Sequence, residues 1–187
     1  VKMDERLELQ KCTEWLKQIP VNVLQKQGFV RETKDKAIQV REVLSFYGVS
    51  SVHAWSQLWE APKVAARRSK SFSSIPGPVS AWIRAGEIDA QKITCLPYDK
   101  EKFLLAVVKI RSLTLLKPNV FVDQMVKLCA DAGVSLVFGR ELKKAPWNGA
   151  TKWLSASKAM ILLSLRGKRE DKFWFSFFHE ASHVLND

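Results

Sequence analysis

Apolar positions recur three and four residues apart along most of this chain, which is the period of a helix buried on one face. From Asp4 to Ile19 the stripe is Leu9, Cys12, Leu16 and Ile19. Pro20 opens a short second helix and Gly28 closes it. Thr33 or Asp35 caps a third, with Ala37, Val40, Leu44 and Tyr47 inward and Gly48 as its stop. Ser50 or Ser51 caps a fourth, carrying Val52, Trp55 and Trp59; His53 points off that stripe and reads as a surface histidine. From Ala61 to Gly77 the period lapses. Pro62, Pro76 and Pro78, with Ser69, Ser71, Ser73 and Ser74, mark a hinge-like region over 61–78. Pro78 then starts a helix through Val79, Trp82, Ile83, Ala90 and Ile93, at some cost from Gly86, and Pro97 ends it. Asp99 caps another, with Phe103, Val107, Ile110 and Leu113 inward. To Leu116 the chain is all helix.

The pattern changes after Pro118. Phe121, Met125, Leu128, Cys129 and Ala132 mark a helix that stops at Gly133, and Val134 to Phe138 is a short β-rich run. Pro146, Asn148 and Gly149 punctuate the chain before Thr151–Leu154 and Ala159–Leu165, which read as two strands around Ser155-Ala156-Ser157-Lys158. Arg166-Gly167-Lys168-Arg169 turns the chain into a last helix. The expected fold class is therefore α+β: a helical N-terminal region over 1–116, then a helix–strand–hairpin–helix unit over 117–187.

That last helix carries the candidate chemistry. At about 100° per residue, Lys172, Ser176, Glu180, His183 and Asp187 fall within roughly a right angle of His179. Phe173, Trp174, Phe177, Phe178, Ala181, Val184 and Leu185 fill the opposite arc, and only Phe175 intrudes on the polar side. His179, Glu180 and His183 form His-Glu-x-x-His. Residues four apart stack on one helix face, so both imidazoles can reach one metal ion while the glutamate serves as a base. The plainer reading is a buried helix with incidental histidines. Against it, the chain has three histidines and two of them occupy this frame. Asp187 shares the face but, as a terminal residue, is a poor ligand candidate.

Composition changes the picture in three ways. A net charge of +11 suits an acidic partner. The cations, however, are scattered through Lys63-Arg67-Arg68-Lys70, Lys143-Lys144 and Arg166-Lys168-Arg169, with no dominant block. The helix pair joined by Gly48-Val49-Ser50-Ser51 outlines a helix-turn-helix. Its second helix offers Trp55, Leu58 and Trp59 but no lysine or arginine, whereas base readout needs polar forks. Cys12, Cys95 and Cys129 are three, far apart and without a CxxC, which points to a reducing compartment; Cys12 and Cys129 lie on apolar faces and read as core. No apolar run approaches the ~20 residues of a membrane span, no membrane partner is expected, and the start is no signal peptide. Val1 in place of methionine, and an end four residues after His183, give the expectation of a fragment.

The order of elements resembles the ImmA/IrrE family of zinc metallopeptidases, in the branch fused behind an XRE-type helix-turn-helix and described as HigA-like antitoxins or regulators. The likeness is carried by Phe46-Tyr47-Gly48-Val49, Ala66-Arg67-Arg68-Ser69, Ala81-Trp82-Ile83-Arg84-Ala85-Gly86-Glu87, Cys129-Ala130-Asp131-Ala132-Gly133-Val134 and Asn148-Gly149-Ala150-Thr151-Lys152-Trp153-Leu154. Its most specific parts are Leu163-Ser164-Leu165-Arg166 and Phe173-Trp174-Phe175-Ser176-Phe177-Phe178-His179-Glu180. It implies a small zincin-like unit over 117–187, truncated at its C-terminus, with His179 and His183 as zinc ligands and Glu180 as catalytic base. It also implies a cytoplasmic protein acting on a repressor or toxin partner, with DNA reached only through an XRE domain ahead of Val1, and with a homodimer left open. A working zinc metallo-endopeptidase would need a third, acidic ligand, which the family places beyond the position of Asp187. Ser182 stands where the family usually has glycine. The alternative is a non-catalytic sensor or dimerisation half of an XRE-type regulator or antitoxin. A further reading makes 1–116 a helical protein-binding module. A strand edge from Thr151–Leu154 or Ala159–Leu165 would align an extended peptide by β-addition.

Overall fold

The computed structural model describes residues 2–59, 76–140, 142, 145, 147–165 and 170–186, with side chains from residue 7 and, after the gap, from residue 77. The segment 60–75, most of the expected hinge, lies outside the described residues, as do the expected turn at 166–169 and Asp187. The chain is α+β and forms two compact units, Val1–Arg84 with Leu142–Pro146, and Ala85–Glu141 with Trp147–Asp187. The division falls inside one helix, between Arg84 and Ala85.

The first unit is helical. It holds α1 (Lys2–Leu16), α2 (Val21–Lys26), α3 (Lys36–Tyr47), α4 (Val52–Trp59) and the first half of α5 (Pro76–Lys92). Its caps follow from side-chain chemistry. The Asp35 carboxylate accepts from the N–H groups of Ala37 and Ile38, and the Thr33 hydroxyl accepts from the N–H of Asp35. Gly48 ends α3 at φ +69°, a left-handed turn that glycine enters without penalty. Ser51, not Ser50, caps α4 through the N–H of Ala54.

Three expectations need correcting here. Leu9 is exposed, and what is buried is Trp15 and Leu16 at the end of α1 and Ile19 just after it, because Trp15 is what packs on Tyr47 and Trp55. The buried face of α3 is rotated to Val40, Val43, Phe46 and Tyr47, leaving Ala37 exposed and Leu44 half-buried. And α5 begins at Pro76, two residues before Pro78, since a proline in the first turn lacks only a donor that the helix does not use. The Tyr47 hydroxyl sits 2.9 Å from Ser80 Oγ, and Arg84 Nε donates to the carbonyl of Phe46, so α3 and the start of α5 are bonded as well as packed.

The second unit is built on a three-stranded sheet of order β1-β3-β2. β1 (Val134–Gly139) runs parallel to β3 (Lys158–Ser164), and β2 (Gly149–Ser155) antiparallel to it, with an irregularity between Trp153 and Ser155. Ala159 to Leu163 are all buried, the continuous apolar run of a strand covered on both faces. The alternation shows what covers each face. Ala159, Ile161 and Leu163 join a core with α6 (Lys100–Ser112), α7 (Pro118–Ala130) and α8 (Glu170–Asn186). Leu162 points the other way, against Gly86 of α5, where a Cβ would lie 2.7 Å from a Leu162 methyl. Gly86, a cost in sequence terms, is therefore the close approach that seats α5 on the sheet. On that same face Lys152 pairs with the buried Glu87, and Lys158 Nζ donates to the carbonyls of Ala90 and Ile93 near the end of α5. Asp99 caps α6 through the N–H of Lys102, and a 3₁₀ turn, Leu113–Leu115, follows.

Two buried acids shape the alkaline limit. Burial among α7 and the sheet pushes the Cys129 thiol up to about 12, and burial raises the Tyr47 phenol above its ordinary value despite the Ser80 bond. The unfolded chain releases the thiol proton near 9. The folded chain keeps it, so this stabilisation is complete below pH 9 and is lost as pH rises through 12. We expect Cys129 alone to remove about 2 kcal/mol between pH 8 and about pH 10.5. Urea unfolding at the two pH values checks this, and Cys129→Ala should flatten the slope.

Candidate functional site

α8 is where sequence and structure meet. Glu170 and Asp171 stand in its first turn, where the helix dipole favours carboxylates. Its buried spine is Phe177, Ala181 and Val184, set into the core with Phe103 and Ile110 of α6 and Ile161 and Leu163 of β3. Trp174 packs at 4.7 Å on Phe121 of α7, and Phe173 stacks at 6.1 Å on Phe138 of β1. This aromatic back fixes the rotation of the helix, and the rotation places the polar ridge.

On that ridge the two imidazoles come together. His179 Nε2 and His183 Nε2 are 3.3 Å apart, with rings nearly perpendicular at 4.7 Å. Zinc–nitrogen bonds of about 2.0–2.1 Å at the tetrahedral angle place two nitrogens about 3.3–3.4 Å apart. The pair is thus spaced as one edge of a zinc tetrahedron; the same distance also suits a single hydrogen bond between neutral rings. His179 is exposed and His183 half-buried, so the ion would be approached from solvent. Ser182 Oγ donates to the carbonyl of His179 at 2.7 Å. Phe175, 73% exposed, lies parallel to the His179 ring at 6.0 Å, which extends the ridge by one turn as an aromatic step.

Glu180 departs from the expected solvent-facing ridge. It is only 8% exposed and turns toward β2. Thr151 Oγ1 donates to Glu180 Oε2 at 2.7 Å and lies 3.2 Å from the Glu180 carbonyl. Gly149 makes the room: a Cβ there would sit 2.7 Å from Glu180 Cγ and 2.8 Å from Oε1. A carboxylate next to a histidine pair, oriented by one hydroxyl on one of its two oxygens, has the makings of a general base. Ser176, also expected on the ridge, is buried and bonds back to the carbonyl of Lys172.

Thr151 and Gly149 are legible as strand residues but not as partners of Glu180. Strand alternation puts 149, 151 and 153 on one face, yet nothing in the sequence says which helix covers that face. The sheet also decides between the two expected peptide-binding edges. β3 is central and both its edges are taken, so Ala159–Leu165 cannot add a strand. β2 pairs with β3 alone among the described strands. The bond from Ser164 N–H to the Asn148 carbonyl sets the phase, so Gly149, Thr151 and Trp153 direct their backbone groups away from β3. That outer edge runs beside Glu180.

No group of three or more His, Cys, Asp or Glu side chains placed to hold a metal occurs among the described residues. His179 and His183 are the two candidate ligands among the described residues, and Asp187 lies outside them. His53 is exposed on α4, as expected. Among the described residues no helix is long and apolar enough to cross a membrane. No family model, no curated protein and no solved structure matches this chain.

Proposed function

We propose that this chain is part of a cytoplasmic regulator of the ImmA/IrrE type, carrying a zincin-like metallopeptidase site on α8 that acts on a repressor or toxin partner. The observation that carries the reading is the 3.3 Å spacing of the His179 and His183 Nε2 atoms on a helix whose next residue is a seated glutamate. His179 and His183 would hold zinc, which when bound polarises a peptide carbonyl and acidifies water. Glu180 takes a proton from the attacking water and returns it to the leaving amine. Thr151 keeps the carboxylate oriented, and the outer edge of β2 aligns an extended peptide antiparallel to it.

Two imidazoles alone bind zinc weakly, because a catalytic site ordinarily has three protein ligands. Calorimetry on this chain should therefore give zinc binding with Kd above about 1 µM, lost in His179→Ala and in His183→Ala. Heat that persists unchanged in both variants removes the metal site from consideration; sub-micromolar binding means a third ligand within the chain.

A further inference from the structure

We propose that the outward face of α6 and the 3₁₀ turn after it dock on an anionic lipid bilayer. Leu104, Leu105 and Val108 are each more than half exposed, although they share α6 with the fully buried Phe103 and Ile110. Leu115, in the turn, is 93% exposed, and Leu116 and Val120 beside it are also exposed. At one helical step per residue, Leu104, Val108 and Leu105 span an arc of about 100°. Lys100 and Arg111 border that arc on one side, and Lys109 and Lys102 on the other. Glu101 and Ser112 lie within it, in the first turn and at the last residue.

The flanking charge selects the occupant. From Asp99 to Val120 there are five cations, Lys100, Lys102, Lys109, Arg111 and Lys117, all exposed, against two carboxylates, Glu101 and the N-cap Asp99, which pairs with Lys102 at 3.8 Å. A second copy would set like charges face to face. An aliphatic strip edged by lysine and arginine is the arrangement of a helix lying in a membrane interface. The leucines enter the acyl boundary, and the long cationic stems reach out to phosphates. Such a helix needs no long apolar run, so the sequence hides it: the strip is visible only once packing shows which face of α6 is left outward.

The test is co-sedimentation of the full chain with vesicles of phosphatidylcholine containing about 30% phosphatidylserine, at about 0.1 M salt. Binding is expected to the mixed vesicles and to be at least about tenfold weaker to phosphatidylcholine alone. Leu105→Glu combined with Leu115→Glu should weaken it by about tenfold or more with unchanged circular dichroism, since both positions are exposed. Leu7→Glu, at an exposed leucine of α1, should leave it unchanged. Absence of binding to the mixed vesicles overturns the proposal. So does equal binding by the double variant and Leu7→Glu, which marks general charge attraction. Self-association weakened by the double variant without vesicle binding assigns the face to a second copy and overturns it too.

Discussion

Gly133→Ala is expected to cost at least about 4 kcal/mol, or to prevent the second unit from folding. Gly133 sits at φ +85° between α7 and β1. A Cβ there would fall inside any allowed contact distance of the Tyr98 backbone, with the Pro97 carbonyl carbon at 2.9 Å. That backbone cannot retreat. Tyr98 N–H donates to the Ser157 carbonyl, Asp99 N–H to that of Ala132, and Leu96 N–H to that of Ala130. The Gly133 carbonyl itself accepts from Ala159, the second residue of the central strand. A backbone clash at this point loosens the register of the sheet. Gly28 supplies the control. Its φ is +78°, but nothing lies within 4 Å of the place a methyl would occupy, so Gly28→Ala should cost only the left-handed penalty of about 1–2 kcal/mol. Urea unfolding of the two variants side by side separates conformational strain from collision. Equal losses would show that the contact with Tyr98 carries no weight.

Phe177→Ala is expected to lose about 3–5 kcal/mol, whereas Phe175→Ala should change stability by less than about 0.5 kcal/mol. The two residues have the same chemistry and lie two positions apart on α8. Phe177 is fully buried among α6, β3 and α8, and Phe175 is 73% exposed beside His179. For a chain of this size, the first substitution should lower the midpoint of thermal unfolding by about 10 °C or more. It should also blur the site, since Phe177 helps set the rotation that brings the two Nε2 atoms together. Phe175→Ala should leave the fold intact while removing the aromatic step from the ridge. Matching losses in the two variants would mean that α8 is docked on another face.

Much of the fold is legible in the sequence. Local chemistry marks the ends of helices, so Asp35, Gly48, Asp99 and Gly133 each act where their residue type and spacing place them. The apolar run from Ala159 announces a strand, which the structure forms as Lys158–Ser164, and the alternation of aromatic and polar positions on α8 announces a helix with a buried back. The misplaced residues share one cause. Leu9, Ala37 and Leu44 are apolar like their buried neighbours, and an apolar residue is inside only if another element lies over it.

The sequence by itself determined the elements, the α+β class and the pairing of His179 with His183, because a four-residue step on a helix brings side chains together whatever surrounds them. Only tertiary structure decided that β3 lies between β1 and β2, that Gly86 and Gly149 are points of close approach, and that Glu180 faces Thr151 rather than water. Those facts join residues far apart in the chain, such as Thr151 and Glu180. No periodicity specifies such a meeting; it is settled by which faces must be buried against each other for the core to close.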